Sequence, residues 1–396
     1  MQLVSLFVLC LGFQPLHALI ASPLCPRWAC PASQSLHMTA AGPKLKARLI
    51  GTGSSAPVAV ISNEAMESIV ETSADWISTR TGISKRRVLD NSGCVSSLGS
   101  EAAKKALESS GVAPEDIELV IVASSSPDDL FGDATTVAAS IGAHNAVAFD
   151  LTAACSGFLF GVVTASQFLT TGFYDKCLVV GADALSRWVD WDDRNTCILF
   201  GDGAGAMVME AVADEADSGV LGSSMHSDGR GHGKLALGYS GTERDLGDNG
   251  DLPYSSYLAV FTDHCCASAA GGFQVSSGGY QPISMNGREV YKFATREVPA
   301  VLREALDAAG MEAEQVDWLL LHQANIRIME AVAQRLGIPM EKVITNLSEY
   351  GNTSAASIPL ALDEAVRSGK VKKGDVVACA GFGAGLSWGA AILKWG

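Results

Sequence analysis

Two stretches 199 residues apart carry the same succession of structural signals, which restricts the chain to folds built from two like halves. Residues 106–124 (ALESSGVAPEDIELVIVAS) and 305–323 (ALDAAGMEAEQVDWLLLHQ) align without gaps, and Ala106, Leu107, Gly111 and Glu115 recur as Ala305, Leu306, Gly310 and Glu314. Each stretch reads as a helix, a glycine stop, a short acidic turn and a buried strand. Two further pairs follow in the same order. VAFDLTAACSG (147–157) matches VITNLSEYGNT (343–353), setting Cys155 against Gly351, and CLVVGADA (177–184) matches VVACAGFG (376–383). The chain is therefore expected to be α/β, with halves at about 48–220 and 285–396, and with buried strands that are at least partly parallel. Residues 221–284 read as a long connection, rich in Gly and Ser at GTERDLGDNGD and SAAGGFQVSSGGY, in which the adjacent Cys265 and Cys266 are incidental.

The 396 residues are 48% hydrophobic, enough for the core of one large domain or two ordinary ones. A formal net charge of −15 argues against nonspecific nucleic-acid binding. The first acidic residue is Glu64, and the 63 residues before it carry only Arg27, Lys44, Lys46 and Arg48 as charges, which marks a presequence. Leu3 to Phe13 is too short an apolar run to span a bilayer comfortably and resembles the core of a signal peptide, so 1–21 reads as a signal and the Ser/Ala/Pro-rich 22–47 as a transit segment. The pair suggests a plastid bounded by extra membranes; a secreted protein or a buried N-terminal helix are the alternatives. No later stretch is apolar for 18 residues, so no membrane span is expected. Seven cysteines remain beyond the presequence, without CxxC pairs or zinc spacing, so a reduced compartment without a metal site is expected.

Leu151 to Leu169 is apolar on nearly every face after Cys155, the pattern of a helix buried all round with the thiol in its first turn. Unpaired N–H groups there favour thiolate, while burial opposes it. The plain reading is a small core residue. His322 closes the apolar strand in LLLHQAN, and Asn352 lies in YGNTSAAS. Each alone has a structural explanation, yet the repeat would bring the two turns toward a common centre, where Cys155, His322 and Asn352 would meet.

ACSG around Cys155, HQAN at 322–325, GNTSAAS at 351–357 and GFGAGLSWG at 381–389 resemble 3-oxoacyl-[acyl-carrier-protein] synthase III. The resemblance spans about residues 48–396 and is loose only around 240–280. It implies the thiolase fold, two duplicated halves in a five-layer α-β-α-β-α sandwich, usually as a homodimer. It also implies an initiating condensation in which Cys155 takes acetyl from acetyl-CoA and malonyl-ACP then decarboxylates and attacks the thioester. His322 and Asn352 would hold the enolate oxygen, and the backbone N–H groups of Cys155 and Ala384 the tetrahedral intermediate. Ala384 stands where bacterial members often have Gly. By the same resemblance Trp76, Arg80, Arg194 and Asn325 contact CoA, Phe131 limits the primer pocket from across the dimer interface, and Lys292 and Arg327 meet the acidic acyl carrier protein. No metal or redox cofactor is implied. FGDGAGA (200–206) lacks nucleotide-loop spacing and reads as a tight turn beside the site. Thiol hydrolases, polyketide synthases that use malonyl-CoA, and an idle carrier-binding protein are the rival readings.

Overall fold

The computed structural model describes residues 45–213, 218–245 and 274–396. The signal reading of 1–21, most of the transit segment and Cys265–Cys266 lie outside these residues. In the first half β1 (Leu45–Ser55), α1 (Ala74–Thr81), α2 (Val95–Ser110), β2 (Leu119–Ala123) and α3 (Ala134–Ile141) lead to β3 (Val147–Leu151), α4 (Gly157–Thr170), β4 (Lys176–Ala184) and β5 (Asp202–Ala213). The second half runs β6 (Gly219–Ser227), α5 (Gly287–Ala309), β7 (Trp318–Leu321), α6 (Ile326–Leu336) and β8 (Val343–Ile344), then α7 (Ser357–Arg367), β9 (Val376–Gly383) and β10 (Ser387–Lys394).

The two five-stranded sheets have orders β1-β5-β4-β2-β3 and β6-β10-β9-β7-β8, so every strand of one has its counterpart in the other. In each the three strands nearest one edge are parallel and the remaining two pairings antiparallel. Alternation along the strands divides the core into layers. Leu119 and Ile121 of β2 face inward with Phe158 and Val162 of α4 and Leu362 of α7, against Leu320, Val377 and Cys379 of the second sheet. Val120 and Val122 face outward and pack with Ala102, Ala106 and Val137 of α2 and α3. Leu319 and Leu321 likewise face Val298, Leu302 and Met329 of α5 and α6. The result is the expected α-β-α-β-α sandwich, with α4 and α7 as its central layer. The glycine stops of the repeat end α2 and α5 in left-handed conformation, at φ +70° for Gly111 and +65° for Gly310.

The two halves meet through backbone. A Cβ on Gly181 of β4 would lie 2.4 Å from the Ala355 carbonyl oxygen, and one on Gly383 of β9 would lie 2.6 Å from the Cys155 nitrogen. Each half's central strand therefore carries the other half's turn.

Several expectations need correction. Leu45–Ala47, assigned to the transit segment, belong to β1, where Ala47 is buried against the core. The stretch 221–284 is more than a connection, because it holds most of β6, which pairs with β10, and a two-stranded ribbon of Tyr239–Asp245 with Gln274–Tyr280. Residues 202–206 of FGDGAGA are strand rather than turn. The helix containing the thiol begins at Gly157, so Cys155 sits in a single 3-10 turn, Ala154–Ser156, ahead of it. Its counterpart is Ala355 in the 3-10 turn Ser354–Ala356, not Gly351. The short helix Leu347–Tyr350, absent from the first half, displaces the second turn and defeats a gapless alignment.

Candidate active site

Cys155 and its counterpart turn face one another. Ala154 and Ser354 both adopt positive φ, +49° and +50°, which turns the backbone sharply from strand to helix. Ser354 Oγ donates to Cys155 Sγ at 3.3 Å. Asn352 precedes this turn, with its Oδ1 accepting the Ser354 amide at 2.9 Å, which leaves its NH2 group to donate elsewhere. Main-chain bonds fix it on the other side, from Asn352 N to Leu199 O at 2.8 Å and from Gly201 N to Asn352 O at 3.0 Å.

His322 follows β7 directly, its amide bonded to Ala380 O at 2.8 Å, and its ring stands edge-on to Phe382 with 5.1 Å between centroids. Nδ1 lies 2.7 Å from Ser357 Oγ, which also accepts the Gln323 amide at 3.4 Å. Cys155, His322 and Asn352 line one cavity of about 130 Å³ with Phe200, Asn325 and Phe382. The predicted triad is thus brought together, and FGDGAGA lies beside it through Phe200. Ala384 follows β9 at the same end, and its carbonyl accepts Ser387 Oγ at 3.1 Å.

Burial dominates the electrostatics. It pushes the Cys155 thiol up to about 12, with the nearby Asp183 carboxylate acting in the same direction and the Ser354 hydrogen bond against it. It pushes His322 down to about 3. The ring is therefore neutral at physiological pH, and no imidazolium–thiolate pair forms. Asp183 itself is wholly buried. Its Oδ1 accepts Ser125 N at 2.8 Å, Ser126 Oγ at 2.7 Å and Ser124 Oγ at 3.3 Å, while Oδ2 accepts Ala355 N at 3.0 Å. Burial raises its pKa in spite of these bonds. Sequence reasoning singled out neither Asp183 nor Ser354 and Ser357, because serines in small-residue turns and a lone acid after an apolar strand carry no spacing signal.

The remaining residues divide by position. Arg194 stacks over Trp76 with its guanidinium carbon 4.9 Å from the ring centroid, and Arg80 lies 5.9 Å from the same centroid. Arg194 also donates to Glu71 O at 3.1 Å. Asn325 caps α6 by accepting the Arg327 amide at 2.9 Å and donates to Arg80 O at 3.1 Å, so it ties the Trp76 helix to the cavity wall. Arg327 donates to Thr79 O, and Lys292 pairs with Glu289 at 2.7 Å on the exposed face of α5. Phe131 is 98% exposed and outside its own chain's cavity lining.

Two family models match the chain: 3-oxoacyl-[acyl-carrier-protein (ACP)] synthase III over residues 149–229 and the C-terminal model of the same description over 306–395. The β-ketoacyl-[acyl-carrier-protein] synthase III of Microcystis aeruginosa is 55% identical over 348 residues, covering 88% of this chain and 97% of that protein. The Nostoc enzyme of the same name is 52% identical over 88% and 98%. The crystal structure of 3-oxoacyl-[acyl-carrier-protein] synthase III from Aquifex aeolicus superposes with a TM-score of 0.75 at 40% identity, over 88% of this chain and all of that one.

The depressed His322 pKa makes stability depend on pH. An unfolded-chain histidine protonates near 6.5, whereas folded His322 stays neutral down to about 3, so between these values the unfolded chain binds the extra proton. Folding is then weakened as pH falls below 6.5 and unaffected above it. Urea midpoints of wild type and His322→Gln should show the wild type losing ground to the variant by about 1 kcal/mol per pH unit below pH 6. A difference that does not change with pH would mean that the imidazole titrates normally.

Proposed function

The chain belongs to the 3-oxoacyl-[acyl-carrier-protein] synthase III family, acyltransferases that begin type II fatty acid synthesis, and from that we propose that it condenses acetyl-CoA with malonyl-ACP, releasing CoA and carbon dioxide to give acetoacetyl-ACP. The observation that carries the reading is the convergence of a nucleophile and two neutral hydrogen-bond donors on one buried cavity. Cys155 attacks the acetyl carbonyl, and the oxyanion is held by the N–H groups of Cys155 and Ala384 until CoA leaves as its thiol, with the proton that Cys155 gives up. The malonyl thioester oxygen then lies between His322 and Asn352. For this role the Ser357 hydroxyl donates to His322 Nδ1, 2.7 Å away, and the ring carries its proton on Nε2. Nε2–H and the Asn352 NH2 stabilise the enolate that forms as carbon dioxide leaves; its carbon attacks the acetyl-cysteine and returns the thiolate. These steps call for no metal or redox cofactor.

The surroundings support the substrate assignments. The Trp76–Arg194 stack offers an aromatic face and a cation to an adenine nucleotide, with Arg80 and Asn325 linking it to the cavity. Lys292 and Arg327 give an otherwise acidic molecule local positive charge for the carrier. In intact-protein mass spectrometry of the full chain, acetyl-CoA should add one acetyl group at Cys155, discharged only by malonyl-ACP. Discharge by malonyl-CoA alone would favour a polyketide-type synthase. Cys155→Ala should abolish acylation, and His322→Ala or Asn352→Ala should leave acylation and slow decarboxylation by about 10²-fold or more. In the same assay Arg194→Ala should raise KM for acetyl-CoA and Arg327→Ala that for malonyl-ACP, each with little change in kcat.

The homodimer finds support at β3, an edge strand of the first sheet. Val147 on it is 52% exposed, and the loop bearing Leu130 and Phe131 is tied to it by Asp150, which accepts the Asp133 and Ala134 amides. Pairing of this edge with a second copy would bury both aliphatic side chains and deliver Phe131 to the partner's primer pocket. Light scattering should give twice the chain mass, and Phe131→Asp should shift the protein toward monomer; a monomeric wild type would end this reading.

Plastid import is supported by the acid-free N-terminus and by relatives that are cyanobacterial. Residues 1–47 fused to a fluorescent reporter should carry it into plastids of an alga with secondary plastids; retention in the cytosol would refute it.

A further inference from the structure

The turn that faces the thiol keeps a costly residue. At φ +50° glycine is the low-energy choice, and a side chain there costs about 1 to 2 kcal/mol. The counterpart turn adopts the same conformation with alanine, so the fold needs no hydroxyl at this position. Ser354 nevertheless carries one, directed at Cys155 Sγ at 3.3 Å.

The cavity also leaves the sulfur short of help. His322, from the end of β7, and Tyr291 of α5 are titratable side chains lining the cavity with Cys155, Asp183 acts on the sulfur from β4, and Phe382 and Gly383 of β9 carry no charge. His322 is neutral, and Asp183 carries the wrong sign. Sulfur charge must then be met by neutral donors. Asp183 instead acts on the turn: its Oδ2 takes the Ala355 amide, and Asn352 Oδ1 takes the Ser354 amide, so the strained residue is gripped on both sides. Three groups from residues 124–126 fix Asp183 in turn.

We propose that Ser354 is a catalytic residue whose hydroxyl donates to the Cys155 sulfur as negative charge gathers there, and that Asp183 is the positioning residue that aims it. The bond is used twice, once when the thiol attacks the acyl thioester, whose C–S bond to CoA breaks and whose departing sulfur takes the thiol's proton, and again when the C–S bond of acetyl-cysteine breaks and the electron pair returns to sulfur, which takes up a proton from water. The proposal rests on Cys155 being the acylated nucleophile.

The decisive variant is Ser354→Gly, which relieves the backbone strain while removing the hydroxyl. Its melting temperature should equal or exceed that of wild type, yet iodoacetamide alkylation of the Cys155 peptide, followed by mass spectrometry between pH 7 and 9, should slow about tenfold at every pH. Acetyl transfer should slow similarly with KM for acetyl-CoA unchanged. Asp183→Asn should show the same loss, and adding Ser354→Gly to it should change nothing further. Loss of the Asp183 charge alone would speed alkylation, so a faster Asp183→Asn variant would overturn the positioning role. A Ser354→Gly protein with wild-type alkylation and transfer rates would overturn the proposal as a whole. Acetylation mapped in wild type to a residue other than Cys155 would instead refute the reading on which it stands.

Discussion

The contact on which the structure depends is backbone against backbone. Gly181 and Gly383 let the central strand of each half lie directly on the turn of the other, within distances that no side chain would allow. The Cys155 thiol of one half and the small-residue turn of the other are brought face to face by this exchange, and the cavity at their junction has walls from both halves. A functional site placed at the seam of two duplicated units inherits its rigidity from both, because its walls are turns anchored at strand ends of both sheets.

Electrostatics follow from the same burial. A dry junction raises the thiol and lowers the imidazole, which favours neutral groups over ions there. Neutral donors cost less to bury than ions, and they gain strength where negative charge appears only transiently, on an oxyanion, an enolate or a sulfur. The one buried carboxylate close by is surrounded by hydrogen bonds and spends them on holding a loop.

Much of this was legible in the residues. The repeat located both halves, and glycine stops at Gly111 and Gly310 do what their sequence context implies. Motif contexts and the repeat together anticipated that Cys155, His322 and Asn352 would share one cavity, although the alignment that set Cys155 against Gly351 was wrong in register and reached the right neighbourhood only because the turns are short. What stayed hidden has a common cause. The helix at Leu347–Tyr350 is an insertion of ordinary composition, β6 is an edge strand with mixed polarity in a stretch that looks like linker, and Asp183 meets Ala355 across 172 residues. Local pattern reports an element's own face and period; it says nothing of a hydrogen bond made by a distant half.

The Trp76–Arg194 stack has a further implication for traffic through the cavity. With the guanidinium 4.9 Å from the indole, the two groups already occupy each other's best partner position. In the proposed reaction an adenine entering between them would have to part them, and on its departure they would close again on their own contact. Such a slot would compete with its own ligand, weakening retention of spent nucleotide after acyl transfer. A carrier-borne substrate brings the same flexible arm with no nucleotide at its end and has no need to open the slot. One doorway could therefore serve both visitors in turn, shutting behind the first and standing shut for the second.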